Sequence, residues 1–311
     1  MIGIFGANGF IGRHLAQRLQ SRGRKFKAIS RHFTPDFVAA HGGSAELVEA
    51  NFADPLAMVS ALDGLDTVVQ LVSTSSPGMQ NLHSVADIRE NVIPHVAFLQ
   101  TCVAAGVRRY VFLSSGGTVY GPTNDVPIRE DSETNPISSH GLTKLMVEKY
   151  IQMHGRVDGL DYVILRLANP FGPGQHYRKA QGLIPAILGR HQEGLPVKVI
   201  GDGSARRDYV FIDDVIDAIE LAVGEPRAAR GIINIGSGEA RSVSEILGAI
   251  EDILGLRIER EYVDVRKTDV AISQLDIGRA SSLLGWRPKT PFRTGLERTL
   301  AEFSPAPRVA R

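Results

Sequence analysis

The stretch that decides the fold is MIGIFGANGFIG, residues 1–12. A short apolar run, residues 1–5, leads directly into a turn with glycines at positions 6, 9 and 12, and an amphipathic stretch from Arg13 to Arg22 follows. Strand, glycine-rich turn and helix in this order are typical of a dinucleotide-binding unit. In such a unit Gly6 permits the tight turn, Gly9 lets the backbone approach a pyrophosphate, and Gly12 allows close helix packing. The N–H groups at the helix start then favour phosphate.

Strand and helix patterns alternate for about half of the chain. Strands are predicted at 25–30, 45–50, 67–72, 109–114 and 161–166, and helices at 55–62, 88–105 and 142–154. This alternation predicts an α/β fold, a Rossmann-type doubly wound parallel sheet with a smaller C-terminal substrate-binding α/β lid. Ligands of such sheets bind outside the carboxyl ends of the strands. We therefore expect the loops at 6–12, at 72–77 and after Leu113 to converge on one crevice.

The composition of the sequence changes after Asn169, and glycine and proline are frequent as far as Gly174. Later helices are predicted only at 213–223 and 243–254. We predict a nucleotide-binding domain over 1–168, to which segments around 205–235 return, and a partly discontinuous second domain over 169–303. Residues 304–311 contain two prolines and few apolar side chains, and we expect a disordered tail there.

Composition narrows the class of protein. The 311 residues carry 35 Lys and Arg against 34 Asp and Glu, a net charge of +1, which favours neither a nucleic-acid nor a membrane partner. One cysteine, Cys102, excludes an internal disulfide framework. We see no apolar run near the roughly 20 residues that span a bilayer, and no signal peptide before the first strand. With the single cysteine, these features lead us to expect a cytoplasmic protein. Nine scattered histidines show no metal-ligand spacing, so we predict no metal site.

Several segments together resemble one family. They are GANGFIG (6–12), SSGGTVYG (114–121), NPFGPG (169–174), GDG (201–203) with RDYVFIDDV (207–215), and LGWRP (284–288). Their order resembles the extended short-chain dehydrogenase/reductases, the NAD(P)-dependent nucleotide-sugar epimerase/dehydratase group that includes the UDP-glucose 4-epimerases. The resemblance implies a nucleotide-sugar substrate and a homodimer. Its interface would be formed by the helices near 88–105 and 142–154.

The resemblance implies a catalytic tyrosine, a lysine four residues later, and a serine or threonine on the sugar hydroxyl. Lys144 matches the lysine, but the tyrosine position is His140 and the hydroxyl position is Gly116. Ser115 and Thr118 flank that glycine and could supply a hydroxyl. Histidine is a competent acid and base, with an ordinary pKa of about 6.5, although a nearby lysine lowers it. In the alternative interpretation His140 caps or packs the helix start and the site is weak.

Family motifs also imply the binding residues. The predicted cofactor contacts are Gly6, Asn8, Gly9, Phe10, Ile11, Gly12, Ser30, Arg31, Asn51, Phe52, Leu71, Val72, Ser73, Lys144 and Pro170, and the predicted substrate contacts are Asn169, Gly182, Leu183, Arg207 and Arg266. NAD preference usually requires an acid at the end of the second strand, where this chain has Ser30. Arg31 follows and suits a 2′-phosphate, so we favour NADP over NAD.

Three functions stay open. The first is a nucleotide-sugar 4-epimerase, with a UDP-sugar as its substrate. The second is an NADPH-dependent reductase of nucleotide 4-keto-sugars, which Arg31 favours. The third is a nucleotide-sugar or NAD(P) binding protein without turnover, which the joint loss of tyrosine and hydroxyl favours. A dehydratase is disfavoured because Gly117-Thr118 occupies the position of the family's Asp-Glu pair.

Overall fold

The computed structural model describes residues 1–75, 84–175, 182–265 and 269–303. Its strands are β1 Ile2–Phe5, β2 Phe26–Ser30, β3 Glu46–Glu49, β4 Thr67–Gln70, β5 Arg109–Ser115, β6 Asp161–Leu167, β7 Asn169–Phe171, β8 Val197–Ile200, β9 Arg206–Phe211, β10 Gly231–Ile235, β11 Ala240–Ser242, β12 Arg260–Val263 and β13 Ile272–Ser273. Its helices are α1 Phe10–Ser21, α2 Pro35–His41, α3 Pro55–Ala61, α4 Ser84–Asp87, α5 Ile93–Ala104, α6 Ser139–Val157, α7 Leu183–Gln192, α8 Ile212–Gly224, α9 Val243–Leu254, α10 Gly278–Leu284 and α11 Phe292–Leu300.

The main sheet has seven parallel strands in the order β10-β6-β5-β4-β1-β2-β3. Its central strands β1 and β4 are buried along their whole length, as a parallel sheet covered on both faces requires. Ile4 of β1 pairs with Val69 of β4 and with Ala28 of β2, so apolar residues continue across the sheet. The predicted Rossmann-type doubly wound fold is confirmed.

Two apolar cores lie on opposite faces of this sheet. One contains Leu15 of α1 and Ile219 of α8, and extends without a break to Ile246 of α9. The other contains Phe98 of α5 and Val147 of α6. The later strands form a small sheet in which β9 pairs with β7, β11 and β13, and a two-stranded pair, β8 with β12. Within the described residues, no helix is long and apolar enough to cross a membrane.

The boundaries of α3 match the sequence prediction within a residue, whereas those of the helix predicted at 88–105 do not. Asp54 caps α3 as expected, because its side chain accepts hydrogen bonds from the N–H groups of Leu56 and Ala57. The single helix predicted at 88–105 is wrong in detail: α4 and α5 are joined by a π-helical turn, Ile88–Val92. Pro94 follows that turn and cannot donate to the preceding carbonyls, so an ordinary α-helical ladder is interrupted there.

Candidate active site

The glycine-rich turn is held against the sheet by its own backbone. Gly6 adopts a φ of +89°, which favours glycine, and the N–H groups of Gly6 and Ala7 both donate to the Ile29 carbonyl, at 2.9 and 3.1 Å. A Cβ atom on Gly12 would lie 2.4 Å from the Gly6 carbonyl oxygen. The start of α1, which includes Phe10 and Ile11, carries no side-chain cap. Its first N–H groups are therefore suited to a phosphate.

An arginine that the sequence analysis missed organises the rim beside this turn. Arg13 donates to the Asn8 side chain at 2.7 Å, contacts Asp36 at 2.6 Å and also hydrogen bonds to Thr34. Asn8 in turn donates to the His32 carbonyl at 3.0 Å. The signal was present in the sequence, because Arg13 directly follows the third glycine of the motif.

The end of β2 carries no acid. Ser30 is half-buried at its last position, and the next residues, Arg31 and His32, are exposed. A neighbouring predicted contact, Asn51, is also exposed, and its side chain accepts from the Ala53 N–H at 3.1 Å. Phe52 is different, since its ring is buried 4.8 Å from the His95 ring.

The loop after β4 contains the predicted contacts Leu71, Val72 and Ser73, and it is fixed at two points. The Leu71 N–H donates to the Phe5 carbonyl of β1 at 2.9 Å. Further along, the Thr74 N–H donates to the Asn91 side-chain oxygen, and the Asn91 side-chain NH₂ donates to the Thr74 hydroxyl, both at 2.9 Å. The loop thus reaches α6 in a defined conformation. The remainder of the predicted 72–77 loop, residues 76 and 77, lies outside the described residues.

His140 and Lys144 lie in the first two turns of α6. The cap of this helix is Ser138, whose hydroxyl accepts from the Gly141 N–H at 3.1 Å, so His140 is not the cap. Instead, His140 is buried and its Nδ1 lies 2.9 Å from the Ser75 hydroxyl. Burial, and then the charge of Lys144, lower the pKa of His140 to about 3. The imidazole is therefore neutral at physiological pH.

Lys144 is itself an unusual cation. Its ammonium donates to the Leu113 carbonyl at 2.9 Å and lies 4.8 Å from the centre of the Phe112 ring. Burial lowers the pKa of Lys144 to about 8, against the opposing effect of the Glu148 charge. The Glu148 carboxylate is fully buried and forms an ion pair with Arg166 at 2.7 Å. Its negative charge is therefore shared and does not neutralise Lys144 alone.

The two predicted hydroxyl donors contact each other. Thr118 donates to the Ser115 hydroxyl at 2.8 Å, and both residues are half-buried at the end of β5. Between them, Gly116 has no room for a side chain: a Cβ atom there would lie 2.6 Å from a methyl group of Leu275 and 3.0 Å from the Arg166 carbonyl oxygen. The position that carries the family's reactive hydroxyl is therefore closed by an apolar residue.

On the substrate side, four of the predicted contacts are described. Asn169 donates to the Asp208 carbonyl at 2.8 Å, and Pro170 is half-buried beside it in β7. Arg207 is half-buried, and burial lowers its pKa. Gly182 adopts a φ of +100° and Leu183 begins α7 directly after it. Arg266, the fifth predicted substrate contact, lies outside the described residues.

Comparisons with known proteins identify the family of this chain. Residues 2–236 match the NAD dependent epimerase/dehydratase family. The dTDP-4-dehydro-6-deoxyglucose reductase of Escherichia coli is 29% identical over 96% of this chain and 95% of its own length. The UDP-glucose 4-epimerase of Mycolicibacterium smegmatis is 31% identical over 96% and 97%. The crystal structure of Thermotoga maritima UDP-glucose 4-epimerase with UDP-glucose superimposes with a TM-score of 0.90 at 30% identity, covering 97% of this chain and 98% of that one.

The fold and the nucleotide-binding turn define a Rossmann-type oxidoreductase class. More closely, the chain belongs to the NAD-dependent epimerase/dehydratase family, and the predicted resemblance to its nucleotide-sugar epimerase group is confirmed.

Proposed function

We propose that this protein is a nucleotide-sugar 4-epimerase that works on a UDP-sugar, with His140 in place of the usual tyrosine. The observation that carries the proposal is the pair on α6 of a buried His140 and a half-buried Lys144, whose ammonium donates to the Leu113 carbonyl near the carboxyl end of β5. A proton acceptor and a cation are thus still built into the position where the family does its chemistry. The relatives named as UDP-glucose 4-epimerases support the substrate class.

The residues present fit a nicotinamide dinucleotide. The space at Gly12, which a Cβ atom would fill, and the uncapped start of α1 together form a phosphate cradle. Gly6, Gly9 and Ile11 would hold the pyrophosphate by their backbone, and Lys144 the nicotinamide ribose. When bound, this cofactor supplies the acceptor and donor of a hydride at the sugar C4.

The chain's own task is to move a proton at the C4 oxygen. His140 is neutral, so one ring nitrogen can accept the hydroxyl proton while the C4 hydride leaves, and can return it afterwards. Ser115 and Thr118, which are linked by a hydrogen bond, would orient the sugar. Asn169, Arg207 and Arg266 would bind the nucleotide diphosphate, with Gly182 and Leu183 beside the base.

A second function, reduction of a nucleotide 4-keto-sugar by NADPH, is favoured by the end of β2. Ser30 carries no negative charge that would repel a ribose 2′-phosphate, and Arg31 is an exposed cation directly after it. Arg13 adds a second cation nearby, although Asp36 already pairs with it. The similarity to a dTDP-sugar reductase supports the same alternative. The third possibility is a binding protein without turnover.

We also propose a homodimer through α4, α5 and α6. Along α6 the exposed apolar residues follow one face, with spacings of three and four residues: Leu142, Met146, Tyr150, Met153 and Val157. Val85, Ile88 and Ile93 are exposed on the neighbouring helical segment. A contiguous apolar surface on two adjacent helices is typical of a protein–protein interface.

The first test is to denature freshly purified protein and identify the released nucleotides by mass spectrometry. Near-stoichiometric NAD(H) together with interconversion of UDP-glucose and UDP-galactose is the expected result for an epimerase. Retained NADP(H), or uptake of NADPH by an empty site, would favour the reductase instead. Protein that binds neither cofactor would leave the binding-protein interpretation.

Arg31→Ala tests the cofactor preference, because an unchanged ratio of NADP to NAD affinity would exclude a role for Arg31.

A further inference from the structure

Hydrogen bonds fix the backbone on both sides of the contact between Ser75 and His140. Ser75 is 4% exposed and its hydroxyl lies 2.9 Å from the imidazole Nδ1. On the Ser75 side, the loop is fixed by the Ser73 hydroxyl, which donates to the Ser75 carbonyl at 3.0 Å. On the other side, Thr143 donates to the His140 carbonyl at 2.9 Å within α6. Two independently fixed backbones thus place this hydroxyl at this nitrogen.

The surroundings make an imidazolium at His140 unfavourable. Lys144, one turn further along α6, repels a second positive charge. Burial, and then the charge of Lys144, lower the pKa of His95 from α5, so this neutral side chain supplies no negative charge. The nearest carboxylate on α6, Glu148, is already paired with Arg166. A proton that arrives at one ring nitrogen must therefore leave from the other.

We propose that Ser75 is the partner through which His140 relays this proton, a positioning role that rests on the proposed function. In the oxidation step the C4 hydroxyl proton passes to Nε2, while the Nδ1 proton passes to the Ser75 oxygen. Ser75 releases its own hydroxyl proton to a water molecule, so it ends as a neutral hydroxyl. A bound nicotinamide cofactor would accept the C4–H electron pair as hydride, which would leave C4–O as a ketone. The imidazole stays neutral throughout and ends as the other tautomer.

This relay accounts for the combination of a histidine with a lysine. A tyrosine beside Lys144 gains from the lysine charge, because its basic form is an anion. A histidine gains nothing, because its protonated form is a cation. It therefore needs a route by which the proton leaves, and within the described residues the Ser75 hydroxyl is the side-chain group bonded to Nδ1.

The test compares Ser75→Ala with Ser75→Thr, which keeps the hydroxyl. For Ser75→Ala we expect kcat to fall about 10- to 100-fold, with KM within about threefold and the retained nucleotide unchanged. Ser75→Thr should recover most of the rate. A plot of kcat against the fraction of D₂O in the solvent should be curved for the wild type, because two or more protons move in the same step. The same plot should be linear for Ser75→Ala. Ser60→Ala, at an exposed serine of α3, controls for the substitution itself.

A second readout does not depend on turnover. In ring-¹⁵N-labelled protein, the His140 resonances, identified by their loss in His140→Asn, should report a neutral imidazole from pH 5 to 8. Their tautomer ratio should change in Ser75→Ala and not in Ser75→Thr. If kcat and these resonances are unchanged in Ser75→Ala, the relay is refuted and the epimerase proposal stands. If the wild type turns over no nucleotide sugar, the proposed function fails and the relay fails with it.

Discussion

Lys144 has a partly buried ammonium whose removal should stabilise the protein. Its contacts are a carbonyl at 2.9 Å and an aromatic ring at 4.8 Å, and the nearby carboxylate of Glu148 is already paired with Arg166. A pKa lowered from 10.5 to about 8 corresponds to about 3 kcal/mol of free energy. Because Lys144 keeps some solvent exposure, we expect Lys144→Met to raise the free energy of unfolding at pH 7 by about 1–3 kcal/mol.

The pH dependence of this effect has a fixed sign. Between pH 8 and 10.5 the unfolded chain holds a proton on Lys144 that the folded chain has released, so the folded state gains stability as pH rises. Below pH 8 both states are protonated, and the full penalty is present. The difference in unfolding free energy between wild type and Lys144→Met, measured by urea titration, should therefore be constant from pH 6 to 7.5. Above pH 8 it should change in favour of the wild type, by at most about 1.4 kcal/mol per pH unit.

The control is Lys149→Met, which removes an exposed lysine from the same helix and thus the same formal charge. A flat difference from pH 6 to 10 for Lys144→Met would refute the reasoning, because it would mean that folding does not depress the lysine pKa. A variant that is less stable than the wild type at pH 7 would contradict the sign of the predicted effect. Both measurements use protein without bound nucleotide, since a ligand that binds only the folded state adds its own stabilisation.

Two further predictions concern the nucleotide-binding turn and the proposed dimer. Gly12→Ala places a Cβ atom 2.4 Å from the Gly6 carbonyl oxygen, so it should destabilise the fold by about 1–3 kcal/mol in urea and abolish nucleotide retention. Gly248→Ala, in the interior of α9 with open space at its Cβ, should be neutral or stabilising. Met146→Glu should convert the dimer to a monomer in light scattering, whereas Val38→Glu, at an exposed apolar residue of α2, should not. A dimer that survives Met146→Glu would place the interface elsewhere.

The sequence predicted the main sheet well because its signals are local. The strands at 25–30 and 161–166 match β2 and β6 within a residue, since each is a short apolar run between clear breaks. The predicted helix at 142–154 was too short: α6 begins at Ser139, directly after Ser138, whose serine side chain is the cap signal in the sequence. The strand β10 was not predicted as such, because its place beside β6 depends on tertiary pairing.

For the site, the sequence identified residues and could not identify their partners. His140, Lys144 and the glycine-rich turn follow from motif positions. Ser75 was missed, because nothing in the spacing of 75 and 140 indicates a contact between a loop and a helix so far apart in the chain. The closure of Gly116 by Leu275 was beyond the sequence for the same reason, since those residues are brought together only when the segment at 272–276 packs across the end of β5.

Gly116 and His140, the two positions that differ from the family's catalytic residues, each have a distinctive neighbour in the structure. At Gly116 the space for the family's hydroxyl is occupied by Leu275, while at His140 a hydroxyl is supplied by Ser75 from a different strand's loop. A site that had only lost its function would gain stability by replacing a buried lysine with an apolar side chain. Here Lys144 remains half-buried at a cost to the fold, one turn from an imidazole that burial and then the lysine charge keep neutral. That combination favours a working acid–base site over the binding protein without turnover, because titratable groups with strongly shifted pKa values cluster at functional sites.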